Sequence, residues 1–339
     1  MTHELKHIIE KALEFQQNGL KSILATVVAL DGSSYRKPGV RMLITEDGQM
    51  IGAVSGGCVE RDIAEQARSV FQDGVPKVMT YDGRYRLGCE GVLYILIEPL
   101  VITEPFIAAF AACLQARQPM QVTSCFRRKE GTSAGYGTVI SFNEGSTLSL
   151  RKDYSPAADP ALQSFKQSLA PCFQLYIFGG EHDSVKLCSM ASALGWEVQV
   201  VTSVRDPKTL ADFPGASSVT AEAPELVQPM IDKDTAVVLM THNYAQDLKF
   251  LLKIAPFHPR YIGILGSKKR QEKLVDDIFT HQPDFNFELV EHIYSPAGLH
   301  IGSVTPEEIA LSILAEILAV YRGMAPNSLR DIQKQTLTK

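Results

Sequence analysis

The sequence predicts an α/β protein in two parts: an N-terminal α+β domain, then a C-terminal Rossmann-like domain built on a doubly wound parallel sheet. Three observations carry that reading. The chain has 339 residues, long for one hydrophobic core. Its second half alternates short apolar runs with segments of helical period, the pattern of a parallel sheet. Between the halves, residues 151–171 hold three prolines among small and polar residues, which marks a linker or boundary. The predicted divisions are therefore 1–165, with a core at about 1–100, then 172–325, then a tail at 326–339.

Taken in order, residues 1–18 form an amphipathic segment (Leu5, Ile8, Ile9, Leu13, Phe15) without a signal-peptide core or cleavage site. Residues 22–30 are an apolar, β-branched strand, and 41–45 pairs with 50–54 across the turn Glu46-Asp47-Gly48-Gln49. A helix follows at 61–71, strands at 92–97, 121–126 and 138–142, and a helix at 104–117. In the second half, strands are expected at 174–178, 197–202, 235–240 and 261–265. Helices are expected at 184–194, 245–254, 268–279 and 306–321. Thr305, Pro306 and Glu308 give the last helix an N-cap, a first-position proline and a capping box. That helix is apolar on nearly all sides, which suits a core or a subunit interface.

Composition excludes several classes. Hydrophobic residues make up 45% and charged residues 21%, so the chain folds rather than staying disordered. A net charge of -5 gives no argument for a nucleic-acid or membrane partner. The six cysteines are irregularly spaced without a C-x-x-C pair, so reduced thiols in the cytoplasm are expected and a zinc site is not.

The chemistry concentrates in a few turns. Ser55-Gly56-Gly57-Cys58-Val59-Glu60 places a thiol between a strand and a helix, where free N–H groups favour anions and lower a thiol's pKa. It reads either as a functional thiol or as a buried structural cysteine. A second glycine-flanked thiol, Cys89, lies in Leu87-Gly88-Cys89-Glu90-Gly91. The loop at 31–39 and its exit gather Ser33, Ser34, Arg36, Lys37 and Arg41.

In the second half, Phe178-Gly179-Gly180-Glu181 stands where a dinucleotide fold carries G-x-G-x-x-G, but Glu181 and Ser184 replace two of its glycines. Thr202 stands near the position of the acid that binds a ribose, so NAD(P) use is disfavoured. His242, at a strand end, reads as a ligand or proton-transfer residue, or else as a cap or supporting histidine. Gly266-Ser267-Lys268-Lys269-Arg270 places cations at a helix start, where acids are preferred, which suggests a phosphate.

Together these segments resemble the XdhC/CoxI family, accessory factors of xanthine dehydrogenase-type molybdenum hydroxylases. The matching stretches run from Gly32-Ser33-Ser34-Tyr35-Arg36 and Pro38-Gly39-Val40-Arg41-Met42 through the two thiol turns to Met240-Thr241-His242-Asn243. They continue at 261–267, Pro296-Ala297-Gly298-Leu299-His300-Ile301-Gly302 and Ala315-Glu316. The resemblance implies a cytoplasmic chaperone, without turnover of its own, that binds molybdenum cofactor, supports its sulfuration with a cysteine desulfurase and delivers it to an apo molybdenum hydroxylase. It also implies a homodimer.

Molybdopterin presents a dithiolene-held metal and a phosphate. Gly56, Gly57, Cys58 and Cys89 then suit the metal end. Ser33, Ser34, Arg36, Arg41, Gly266, Ser267 and Lys268 suit the phosphate, and His242 is a further contact. The family usually keeps a fuller glycine fingerprint, followed by an acid, where this chain has Glu181 and Thr202. The alternative function is an NAD(P)-dependent oxidoreductase using His242 as acid or base.

Overall fold

In the computed structural model, which describes residues 1–33, 37–55, 57–83, 91–143, 145–156, 159–281 and 287–331, the first half begins with α1 (Thr2–Gln17) and β1 (Ser22–Asp31). Next come β2 (Arg41–Thr45), β3 (Met50–Gly52), α2 (Cys58–Asp73), β4 (Lys77–Asp82), β5 (Val92–Leu100) and α3 (Glu104–Gln115). This half closes with β6 (Met120–Phe126), β7 (Gly131–Thr132), β8 (Gly137–Phe142), β9 (Thr147–Ser149) and β10 (Gln163–Leu169).

The second half holds β11 (Gln174–Phe178), α4 (His182–Ala193), β12 (Glu197–Thr202), β13 (Ser218–Ala221), β14 (Thr235–Leu239) and α5 (Tyr244–Ile254). It ends with β15 (Tyr261–Ile264), α6 (Lys268–His281), β16 (Ile293–Tyr294) and α7 (Pro306–Arg322). The two halves are separate compact units, Met1–Pro171 and Cys172–Lys339.

The first unit is built on an antiparallel sheet in the order β3-β2-β1-β5-β4-β7. Alternation along β1 sorts its side chains by face. Ile23, Ala25 and Val27 join Val59, Ile63, Ala67 and Val70 of α2 on one side. Leu24 meets α1, α3 and the second sheet on the other. That second sheet is antiparallel in the order β10-β6-β8-β9.

One expectation changes here. The stretch read as a linker or boundary does end at the division between the units, but it is no linker: it contains β10, which pairs along its full length with β6. Most of β10 is polar because it is an edge strand, and only Leu169 of its residues is buried.

The second unit carries the doubly wound sheet that the alternation predicted. Its order is β13-β12-β11-β14-β15-β16, and every pair is parallel. Central strands such as β14 are buried along their whole length, as a sheet covered on both faces requires. α4 and α7 cover one face and α5 and α6 the other. The cap of α7 forms as read: Thr305 Oγ1 accepts from Glu308 N at 3.3 Å, and Glu308 accepts from Thr305 N at 3.0 Å. Its apolar girth goes mostly into the core through Ala310, Ile313, Leu314 and Ile317, which leaves Leu311 and Leu318 exposed. Among the described residues, no helix is long and apolar enough to cross a membrane.

Candidate functional site

Strand polarity brings the flanks of three separate sequence motifs to one end of the first sheet. β1 runs antiparallel to β2 and β5, and these run antiparallel to β3 and β4. The end of β1 therefore lies beside the starts of β2 and β5 and near the ends of β3 and β4, with Asp31 opposite Val92 and Gly52 opposite Met42. The basic loop, the turn leading into α2 and the connection carrying the second thiol turn all leave from this end.

The contact is close. A β-carbon on Gly91 would lie 2.5 Å from Ser33 O and 2.9 Å from Asp31 O, so the backbone flanking the second thiol turn packs directly on the loop entrance. Gly83 N also bonds Gly91 O at 3.0 Å. A cavity of about 600 Å³ lined by Thr45, Asp47, Arg61, Arg68 and Phe71 sits instead beside the β2–β3 turn, at the opposite end.

α2 begins at Cys58, as the glycine turn implied. Two of the turn's N–H groups, however, already have a partner within the chain. Glu60 folds back, accepting from Ser55 N, from Ser55 Oγ at 3.0 Å and from Gly57 N at 2.8 Å. Burial raises the Glu60 pKa, but these hydrogen bonds outweigh it and hold the carboxyl below its ordinary value. A glutamate three residues into a helix is a recognisable capping signal, and it could have been read from the sequence.

Arg41 does not point to this end's surface. Its partner Thr26 lies two residues from Leu24 and so shares its face, which turns both Thr26 and Arg41 toward the second sheet rather than α2. The guanidinium is buried and donates from Nη1 to Gly39 O at 2.9 Å, and Nε and Nη2 have no partner among the described residues. Burial pulls its pKa down to about 10, against the pull of Glu98. Glu98 lies in the same interior and accepts from Thr138 Oγ1 at 2.5 Å and Thr138 N at 2.9 Å. Burial pushes its carboxyl up to about 7. Arg41 is thus an internal post under the loop exit, a buried position that the expectation of it as a phosphate contact did not include.

Of the other expected contacts here, Ser33 is an exposed residue at the loop entrance and Gly57 is the N-cap of α2. Ser34, Arg36, Gly56 and Cys89 lie outside the described residues, as does the side chain of Cys58. Sequence reading missed Arg128. It reaches Asp31 and Leu30 O from 97 and 98 residues away in the chain, a pairing that no local pattern announces. Cys113, Cys172 and Cys188 are buried and Cys125 is half-buried, and burial pushes the Cys188 thiol up to about 11.

In the second unit, α4 and His242 flank the switch point between β11 and β14, where open parallel sheets bind ligands. His242 has φ +55° and brings Nε2 to 4.0 Å from Asp183 Oδ2. The cap of α5 is Asn243, which accepts from Gln246 N at 3.2 Å. Thr202 is buried, its hydroxyl donating to Thr220 O at 3.1 Å and accepting from Lys208 N at 3.3 Å. The position where a ribose acid would stand is therefore filled by an engaged hydroxyl, and Glu181 sits exposed as the α4 N-cap.

At the β15 end, Gly266 and Ser267 are exposed, and the Lys268 side chain lies outside the described residues. Arg270, however, is turned inward to Asp247 at 2.5 Å. Its place at a helix start is thus explained by a buried carboxylate rather than by a phosphate. Three of the resemblance-bearing segments also converge structurally. Glu316 accepts from Tyr261 O–H at 2.7 Å and Gly298 N at 2.8 Å, tying α7 to β15 and to the loop after β16.

Comparison with known proteins covers both units. Residues 15–82 match the XdhC and CoxI family, and residues 175–317 match the XdhC Rossmann domain. A Bacillus subtilis protein, named as a probable xanthine dehydrogenase subunit, is 29% identical over 94% of this chain and 98% of its own length. The Escherichia coli molybdenum cofactor insertion chaperone PaoD is 25% identical over 94% of this chain and 90% of its own. A crystal structure from Bacillus halodurans, described as a xanthine dehydrogenase, superposes with a TM-score of 0.77 at 27% identity, covering 95% of this chain and 97% of that one.

Proposed function

The chain belongs to the XdhC and CoxI family, and on that premise we propose that it is an accessory protein carrying molybdenum cofactor as cargo. In this reading it holds the cofactor while a cysteine desulfurase sulfurates it, then inserts it into a xanthine dehydrogenase-type apo-enzyme. The relatives named for xanthine dehydrogenase and for cofactor insertion support this role.

The observation that supports the site is that the strands flanking the basic loop and both thiol turns all have those ends at one end of the first sheet, with Gly91 packed against Ser33. The donor set suits a cargo with a soft metal end and an anionic end. Cys58 and Cys89 would serve the dithiolene-held metal. Ser33, Ser34, Arg36 and Lys37 would serve the phosphate through hydroxyl and cationic groups. Arg41 fits no direct contact, since it is buried beneath the loop. Gly266, Ser267, Lys268 and His242 belong to the second unit, where they would form a separate polar surface. The oxidoreductase alternative is weakened by Thr202 and Glu181 at the two places a dinucleotide would need.

The test is to purify the protein from a host with active cofactor synthesis and measure bound molybdenum and pterin fluorescence. Pterin and metal in matched amounts are expected, and protein free of both would overturn the reading. Cys58→Ser and Cys89→Ser, made separately, should each weaken cofactor retention or target activation.

A further inference from the structure

Both feet of the connection at 32–40 are contacted by distant side chains, Arg128 from the segment just after β6 and Gln167 from β10. At the entrance, Arg128, just beyond β6, donates from Nη2 to Leu30 O at 3.2 Å and ion-pairs with Asp31. Its guanidinium also lies over the Tyr94 ring, 5.4 Å from the centroid. Tyr94 of β5 donates to Asp31 Oδ2 at 2.9 Å, so the last residue of β1 is gripped from two directions.

At the exit, Gly39 adopts φ +101°, and the side chain of Gln167 from β10 occupies the space where a β-carbon would stand. Arg41 holds the Gly39 carbonyl from below. β6 and β10 are neighbouring strands, so Gln167 and the connection carrying Arg128 leave from the same sheet. Residues 83–174, which include this sheet, lie outside both family-matched regions.

We propose that Arg128 and Gln167 are positioning residues for the cargo site, and that β10 together with the segment after β6 acts as a clamp on the two feet of the loop. The proposal rests on the reading of this sheet end as the cargo site. An exposed ion pair such as Asp31–Arg128 adds little to global stability. Its effect is felt in preorganisation: a loop already fixed loses less conformational freedom when cargo binds.

The experiment uses the full chain and molybdenum cofactor released from a purified molybdoenzyme, with two readouts. These are cofactor affinity and hydrogen exchange at the amides of residues 31–33, 37 and 39–40. Arg128→Ala and Gln167→Ala should each speed exchange at these amides and weaken binding roughly tenfold, the scale expected from ordering one or two side chains. The unfolding midpoint should stay unchanged. The reversed pair Asp31→Arg with Arg128→Asp should bring both readouts back toward wild type, which a merely structural role would not predict. Unchanged exchange in both single variants, or a reversed pair no better than Arg128→Asp alone, overturns the clamp. If the wild-type chain binds no cofactor, the cargo reading fails, while exchange still decides whether the clamp exists.

Discussion

The guanidinium of Arg270 meets the carboxylate of Asp247 at 2.5 Å, and Asp247 is only 1% exposed. Asp247 also accepts from Thr241 Oγ1 at 2.6 Å, so one buried charge ties α6 to α5 and to the end of β14. Removing Arg270 would leave that carboxylate uncompensated in the interior. Arg270→Ala should cost about 3–5 kcal/mol of stability, whereas Lys269→Ala, at an exposed position, should cost under about 0.5 kcal/mol. Denaturant unfolding of the two variants checks this. Equal midpoints would mean that the Arg270–Asp247 pair is not what holds these elements together.

Glu60 supplies the cap of the first thiol turn, and its depressed pKa fixes the sign of a pH effect. Its carboxylate is favoured by folding, so the stabilisation is fully present above the ordinary value of 4.5 and is lost as pH falls through the lower folded value. Glu60→Ala should destabilise by about 1 kcal/mol at pH 7, in the range of a lost cap, and the deficit should shrink in acid. Thermal unfolding from pH 3 to pH 7 measures both.

Glu98 works in the opposite direction. Between about 4.5 and about 7 the folded chain keeps a proton on Glu98 that the unfolded chain has released. Stability contributed by this group is therefore present below 4.5 and falls as pH rises through that window, by an amount on the order of 3 kcal/mol. Glu98→Gln should flatten this slope between pH 5 and about 7. A variant with the wild-type slope would place the titration elsewhere.

His242 holds a left-handed backbone conformation that disfavours branched side chains. His242→Val should cost about 1–2 kcal/mol, and His242→Gly should be neutral or slightly stabilising. If both variants unfold at the wild-type midpoint, the backbone strain at this strand end is absent in solution.

Local pattern was sufficient wherever burial and period coincide. The strand at 174–178, the helix from Pro306 and the start of α2 at Cys58 follow from apolar spacing, capping residues and glycine placement, all of which act within a few residues. β10 was not legible, because an edge strand buries little and its polar sequence resembles a linker. Arg41 was misplaced for a related reason. Its charge suggested a surface, and only the register with Thr26 turns it into the interior. The same holds for Arg270, whose partner lies 23 residues away.

The sequence by itself determined the two-part α/β architecture, the doubly wound second sheet and the motifs that mark the family, since these depend on short-range periodicity and on residue identity. Only the tertiary structure decided which charges remain available to a ligand. Glu60 occupies the Ser55 and Gly57 N–H groups of the thiol turn, Arg41 lies under the loop exit, Arg270 neutralises Asp247, and Arg128 closes on Asp31. Pairing of this kind is set by strand register and by contacts between distant segments, so a cation's position along the chain does not reveal whether the fold has already given it a partner.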